Sequence, residues 1–307
     1  MKKVFSDVTE SPHITVCICT YKRGALLKRL LQFLENQRSD GLFTYSIVVV
    51  DNDRLQSAQP LVSGYARSSS VPIVYCVEPR QNISAARNKA VQNAHGDFIA
   101  FIDDDEFPAK EWLLSLLLAC EKYRADGVIG PVKRHFDQVP PHWVAKGNFY
   151  DRPTYPTGLV IDWSKGRTGN VLLKRSIMPA DERPFRPEFR TGEDQDFFRR
   201  SIAEGHRFVW CDEAVAYETV SPIRWKRSFM LKRALLQGAA AASHPTFGVR
   251  EITKSLLALV VYGAVLPFAL LLPHHRFMAL LVKWANHAGK LMAAIKIDPI
   301  KEPYVTQ

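Results

Sequence analysis

The sequence predicts an α/β domain built on a largely parallel sheet, and three observations carry that prediction. Short apolar, β-branched runs recur through the first hundred residues: ITVCICT (14–20), YSIVVVDN (45–52), VPIVYCVE (71–78) and GDFIAFIDDD (96–105). They are continuous rather than alternating, as strands buried on both faces must be, and amphipathic helical patterns lie between them. With 307 residues, 47% apolar and 23% charged, the chain is long enough for a large core plus an appendage.

The first strand, 14–20, is followed at 24–37 by leucines at 26, 27, 30, 31 and 34, a helical stripe. The second and third strands follow, then a helix over 83–94 and the fourth strand. In such sheets ligands bind beyond the carboxyl ends of the strands. That rule puts 20–23, 51–53 and 103–106 on one rim. Beyond Gly130 the pattern loosens into a stretch rich in Pro, Trp and Tyr, which reads as a functional loop region. GNVLLKR (169–175) resumes a strand, and GEDQDFFRRSIAEGH (192–206) reads as a helix whose acidic opening suits the helix dipole.

Cys17, Cys19, Cys76, Cys120 and Cys211 form an odd set without a CxxC pair, read as reduced thiols of a cytosolic domain rather than a disulfide frame or zinc site. MKKVFSDVTESPH lacks an apolar h-region, so no secretory signal is expected. Charge is unevenly placed: 222–307 carry 12 Lys/Arg against 3 Asp/Glu, a net +9, while 1–221 carry 29 against 28. The expected division is therefore a catalytic domain over 1–221 and a basic, apolar helical extension over 222–307. Such asymmetry suits nucleic acid or an anionic membrane; the apolar runs favour lipid, and no nucleic-acid motif is present. Residues 255–272 are uncharged, at the lower limit for spanning a bilayer, and interrupted by Pro267. Over 277–297, Lys283, Asn286, His287 and Lys290 make one polar face on an otherwise apolar helix, as a helix lying in a membrane interface would. The alternative for this tail is a core helix packed on the sheet.

The acidic run Asp103, Asp104, Asp105, Glu106 carries the chemistry. If the backbone stays extended there, Asp103 and Asp105 point the same way with Asp104 turned aside. Two such carboxylates suit Mg²⁺ or Mn²⁺, completed by phosphate oxygens or water. An EF-hand is excluded, because Phe107, Pro108 and Leu114 occupy its fifth, sixth and twelfth positions. The plainer alternative is that the acids cap a helix starting at Ala109. On the same rim Asp51 can accept hydrogen bonds from a base or ribose and Arg87 can meet phosphate; a helix cap and an ion pair are their plainer roles. Neither GxGxxG nor GxxxxGK[ST] occurs, so the dinucleotide and P-loop fingerprints are absent.

VCICTYKR, IVVVDND, NISAARNKA, GDFIAFIDDDE, GNVLLKR and GEDQDFFRR, in this order, resemble the family 2 inverting glycosyltransferases of the GT-A fold across roughly 14–220. The tail layout is similar to bacterial exopolysaccharide enzymes of the succinoglycan glucosyltransferase type. The resemblance implies a Rossmann-like α/β/α nucleotide-diphospho-sugar transferase with a membrane-associating helical extension. It implies nucleotide-sugar contacts at Thr20, Tyr21, Arg23, Asp51, Arg87, Asp103 and Asp104, and a diphosphate-bound Mg or Mn at Asp103 and Asp105. It places a catalytic base in the Glu193, Asp194 pair, assigned to Asp194, with Glu193, Asp196 and Arg199 supporting. Two positions depart from the pattern. Asn82 stands where many relatives have glycine, and Asn tolerates left-handed backbone. Tyr217 and Glu218 stand where many carry a histidine that reaches the metal, so no third ligand is assigned.

The implied reaction moves a sugar from UDP-glucose or a similar UDP-hexose to a hydroxyl of a lipid-linked oligosaccharide. It belongs to exopolysaccharide or surface-polysaccharide synthesis at the cytoplasmic face of the bacterial inner membrane, with other polysaccharide-assembly enzymes as partners. The metal neutralises the leaving nucleotide and Asp194 takes the acceptor proton. Trp143, Phe149, Tyr150 and Trp163 are candidates either to stack on acceptor sugars or to pack the loops. Two rival readings remain. A sugar nucleotidylyltransferase would show a Gly-rich, Lys/Arg-bearing loop, which CICTYKRGALL lacks. A non-catalytic membrane-associated scaffold with a degenerate nucleotide site would have lost the acidic pairs, all of which are present.

Overall fold

The computed structural model describes residues 11–178, 183–189, 192–242 and 247–297; the first ten residues, and so most of the segment without an h-region, lie outside them. The chain divides into two compact units. One comprises Met1–Lys133, Arg152–Phe189 and Glu193–Glu218, the other Arg134–Asp151, Arg190–Gly192 and Thr219–Gln307.

The first unit opens with β1 (His13–Thr20), α1 (Gly24–Leu34), β2 (Thr44–Asp51), α2 (Gln59–Ser68), β3 (Ile73–Val77), α3 (Ile83–Asn93) and β4 (Phe98–Ile102). β5 (Glu106–Pro108), α4 (Trp112–Lys122), β6 (Gly127–Ile129) and β7 (Val132–His135) follow; after α5 (His142–Gly147), which belongs to the second unit, come β8 (Asn170–Lys174), α6 (Glu193–Ala203), β9 (Phe208–Trp210) and β10 (Ala216–Thr219). Seven strands form one sheet in the order β3-β2-β1-β4-β8-β6-β9. β1 runs parallel to both β2 and β4, and β8 is antiparallel to its neighbours β4 and β6. The strand order reverses between β1 and β4, a topological switch that opens a crevice at the carboxyl ends. The central strands are mainly apolar because both faces are covered, whereas the edge strand β3 leaves Val74 exposed. Val16, Ile18, Ile47, Val49, Ala100 and Ile102 pack with α1, α2 and α4, while Cys17, Val48, Val50, Ile99 and Phe101 pack with α3 and α6. All five cysteines are free, and burial pushes the Cys19 thiol up to about 12.

One buried amide ties this framework together. Asn170, at the start of β8, accepts from Trp112 Nε1 of α4 at 2.7 Å and donates through Nδ2 to the carbonyls of Pro131 (2.9 Å) and Ala214 (2.8 Å). Four segments far apart in sequence meet on a side chain that water does not reach.

In the second unit, α7 (Arg227–Ala242), α8 (Val249–Ala269) and α9 (His274–Ala294) pack as helices. α7 and α9 approach so closely that a Cβ on Gly238 would lie 2.1 Å from the Asn286 carbonyl oxygen, and one on Gly289 2.2 Å from that of Leu235. Val144 and Tyr150 join Val220, Met230 and Met278 in this unit's core, and the Tyr150 hydroxyl donates to the Arg224 carbonyl. The aperiodic residues 134–151 therefore group with the helices by packing. Trp143 and Phe149 also pack on that core, edge to face at 5.8 Å, and Trp163 packs on the sheet's second face, so these aromatics serve packing here.

The helix over 277–297 differs from expectation. Three of its four polar residues turn inward while Lys283 stays exposed: Asn286 Nδ2 donates to Ala234 O of α7 at 3.3 Å, His287 Nδ1 shares a hydrogen bond with Ser255 Oγ of α8 at 3.1 Å, and Lys290 Nζ lies 4.0 Å from Glu251. Polar groups turned toward a helix interface seek partners, and two neighbouring helices supply them. The exposed apolar surface belongs to α8 instead, through Leu257, Val260, Val261, Val265 and Phe268. Among the described residues α8 is the one helix long and apolar enough to cross a membrane.

Asn170→Ala would leave the Trp112 indole N–H and the Ala214 carbonyl without their partner, while the Pro131 carbonyl keeps the Ala216 N–H. It is expected to lower the unfolding free energy by about 3 kcal/mol or more, read as an earlier denaturant midpoint at unchanged slope. A loss below about 1 kcal/mol would show that the node is dispensable.

Candidate active site

The carboxyl ends of β1, β2 and β4 bring the predicted rim together. The acidic run is not extended as the alternation argument assumed. β4 stops at Ile102, and Glu106 N donates to Asp103 O at 3.0 Å, closing a turn. The turn sends its carboxylates to different partners. Asp104 accepts from Thr20 Oγ1 and from Arg23, both at 2.8 Å, and Asp105 lies 3.6 Å from the same guanidinium. Asp103 lies 3.6 Å from Arg87 and is the most open of the three. Tyr21 is half-buried on the loop between Thr20 and Arg23.

Asp51 ends β2 fully buried and already engaged: Oδ1 accepts from Asp53 N (3.0 Å), and Oδ2 from Ala58 N (2.7 Å) and the Tyr75 hydroxyl (2.9 Å). It shapes the loop into α2, while Asp53 Oδ2 beside it is buried without a partner.

α3 sets the far wall. Asn82 is extended, with φ −154°, and accepts from Ala85 N at 2.9 Å, so it acts as the helix cap rather than as a left-handed substitute for glycine. Asn88 exchanges two hydrogen bonds with the Phe185 backbone, at 2.7 and 3.0 Å, pinning the segment that leads toward α6. Buried Arg87 reaches across to Glu193 at the start of α6. Asp194 stays half-exposed next to it, its carboxyl pushed up to about 6 by burial and by the Glu193 charge. Asp196 is buried among Arg186, Arg199 and Arg200 and braces α6. Thr20, Arg23, Arg87, the acidic turn and the Glu193, Asp194 pair thus form one site, whereas Asp196 and Arg199 form an ion cluster of their own.

The turn is starved of positive charge. Burial, then the charges of Asp104 and Glu218, push Asp105 up to about 7, and burial beside Asp103 pushes Glu106 well above the carboxylate range. Glu106 Oε1 is buried without a hydrogen-bond partner. It and Asp103 Oδ2 flank the bare Cα of Gly169, where a Cβ would stand 2.9 and 3.0 Å from the two oxygens. Hard oxygens under mutual repulsion with one orphaned acceptor fit a divalent cation. Among the described residues no three acidic, thiol or imidazole groups enclose one point, so a bound ion would need substrate oxygens or water to complete its shell.

Sequence reasoning left Glu106, Arg152, Gly169 and the position of Glu218 unassigned. β10 pairs antiparallel with β5 and sets Glu218 opposite Glu106, and Arg152 donates to Glu218 at 2.7 Å. The usable signal was the acidic residue at 218 where relatives have a metal-reaching histidine.

Residues 15–178 match the family described as glycosyl transferase family 2. Across 95% of its length, and 96% of that protein's, the chain is 32% identical to the succinoglycan biosynthesis protein ExoM of Rhizobium meliloti (strain 1021). It is 25% identical to the putative glycosyltransferase EpsH of Bacillus subtilis (strain 168), over 63% of this chain and 58% of that one. Among solved structures, the S. aureus TarS fragment 1-349 in complex with UDP superposes with a TM-score of 0.54 at 18% identity, covering 92% of this chain and 91% of that one. The same fragment solved with UDP-GlcNAc also gives 0.54, at 16% identity, with 92% of each chain covered. The fold is GT-A-like, the chemistry is glycosyl transfer, and the chain belongs to the family 2 glycosyltransferases.

Proposed function

We propose that this enzyme transfers a hexose, with inversion, from a UDP-sugar to a hydroxyl of a lipid-linked oligosaccharide during exopolysaccharide assembly. The observation that carries the reading is the meeting of a cation-deficient acidic turn with a half-exposed carboxylate, Asp194, at the switch point of the sheet. The UDP and UDP-GlcNAc held by TarS support a uridine donor, and the likeness to ExoM along nearly the whole chain supports exopolysaccharide as the product.

Asp103 and Asp105 would hold the divalent ion, Mg²⁺ or Mn²⁺, whose positive charge supplies electrostatic stabilisation for the departing diphosphate. Arg23 fixes the turn by gripping Asp104 and Asp105. Asp194 accepts the proton of the acceptor hydroxyl as its oxygen forms a bond to the anomeric carbon. The bond from that carbon to the diphosphate oxygen breaks on the opposite face, and the nucleotide leaves with the electron pair. A carboxylate held near 6 is largely ionised at neutral pH yet more basic than an ordinary aspartate. Arg87 anchors Glu193 and so fixes the start of α6 beneath this base. Thr20, Tyr21, Asp51 and Asp104 shape the nucleotide side of the crevice.

The second unit is the membrane contact in this reading, at the cytoplasmic face of the inner membrane. The exposed row on α8 would bury in lipid, and the basic tail would meet anionic headgroups.

Calorimetric titration is expected to show UDP binding that depends on Mn²⁺ and is lost in Asp105→Ala. That binding should weaken as pH falls through about 7, because Asp105 must lose its proton to take a cation. Preference for GDP would correct the base, and failure of the folded protein to bind either nucleotide would remove the mechanism. Asp194→Asn should lower kcat by about 10²- to 10⁴-fold at unchanged UDP affinity. The wild-type rate should fall below pH about 6 as the base protonates; a flat profile down to pH 5 would assign proton removal elsewhere. Exchanging Leu257, Val260, Val261 and Phe268 for serine should release the protein from anionic phospholipid vesicles, and undiminished co-sedimentation would place the membrane contact off α8.

A further inference from the structure

Four guanidiniums stand within reach of the acidic turn and its surroundings: Arg23, Arg87, Arg152 and Arg167. Three of them are held by carboxylates. Arg23 pairs with Asp104, Arg87 with Glu193, and Arg152 with Glu218. Arg167 makes no hydrogen bond or ion pair among the described residues, although it is only half-exposed. Burial together with neighbouring Arg152 draws its pKa down, outweighing the opposing charges of Asp194 and Glu106.

The backbone on either side of Arg167 is tightly packed. A Cβ on Gly166 would lie 2.3 Å from the ring of Phe198 on α6, and the Gly169 Cα is pressed against Asp103 and Glu106. The four-residue segment is therefore clamped between α6, which carries Asp194, and the acidic turn. Thr168, between the two glycines, is buried with its hydroxyl unpaired. A guanidinium beside another cation, drawn partly out of water and with no carboxylate among the described residues in direct contact, has unused donors that an arriving anion can take. Its planar fork matches a phosphate in two-point contact.

We infer that Arg167 is the substrate-facing guanidinium of this site and that it binds a diphosphate oxyanion. The inference rests on the transferase reading above, and two substrates can supply that chemistry: the nucleoside diphosphate of the donor and the diphosphate of a lipid-linked acceptor. Arg87 and Arg152 cannot serve equally, since each would have to release a carboxylate first. Arg167 would hold the terminal phosphate as the sugar departs, offsetting charge that the acidic turn itself repels.

The test titrates the full-length protein and its Arg167→Gln and Arg167→Lys variants with UDP, UMP and farnesyl diphosphate in the presence of Mn²⁺, with thermal melting of each variant. The expected result is a loss of about 10- to 100-fold in UDP affinity for Arg167→Gln, partial recovery in Arg167→Lys, and unchanged UMP affinity. A loss confined to farnesyl diphosphate would support the same contact and assign it to the acceptor. Unaltered affinity for both diphosphates would overturn the inference, as would an equal loss for UMP, which signals a structural role. A wild-type protein that binds UDP normally while Arg167→Gln does too defeats this inference alone; one that binds neither UDP nor the isoprenoid diphosphate defeats the transferase reading with it.

Discussion

The structure is organised around the difficulty of keeping four consecutive acids at the end of a buried strand. Asp104, Asp105 and Glu106 are nearly inaccessible to water, and Asp103 is the open member. Repulsion among them is met by Arg23 from the loop after β1, Arg87 from α3 and Arg152 from the loop region before β8. Compensation is incomplete, as the rise of Asp105 from 3.8 to about 7 records. The folded chain holds that proton more tightly than the unfolded chain does. Its contribution to stability is therefore complete below about pH 4 and lost as pH rises through about 7. At neutral pH the site is a destabilising element, and a bound cation would relieve it.

The framework tolerates this strain because amide side chains tie it down at a distance. Asn170 joins α4, β8 and two loops, Asn82 caps α3, and Asn88 pins the segment before α6. Much of this was legible in sequence. Continuous apolar runs gave the strands, and the rule for ligand position gave the rim, because both depend on local pattern alone. The turn at 103–106 was not legible, since a single backbone hydrogen bond from Glu106 to Asp103 decides it. Asn82 was located as special for the wrong reason: the left-handed residue on the rim is Lys22, with φ 55°.

Residues whose role depends on long-range pairing were the least visible. Arg152 and Arg167 lie in the aperiodic stretch, where no spacing points to the acidic turn, and Glu218 reaches it only through the pairing of β10 with β5. The second unit teaches the same lesson from the opposite side. Periodicity correctly found a polar row on α9, yet a polar row does not say what covers it. Here α7 and α8 engage Asn286, His287 and Lys290, Lys283 stays exposed, and the uncovered apolar surface falls on α8.

The adjacent acids Glu193 and Asp194 show how one fold gives two carboxylates different work. Both sit at the start of α6, where the helix dipole alone would favour ionised acids. Arg87 pairs with Glu193 and fixes its position. Burial and that neighbouring carboxylate act together on Asp194, whose carboxyl rises to about 6 despite the arginine nearby. A base at that value is matched to proton removal at neutral pH. The buried ion pair between α3 and α6 therefore does more than close the site: by fixing Glu193 against Arg87, it sets the carboxylate whose proximity makes the next residue a stronger base.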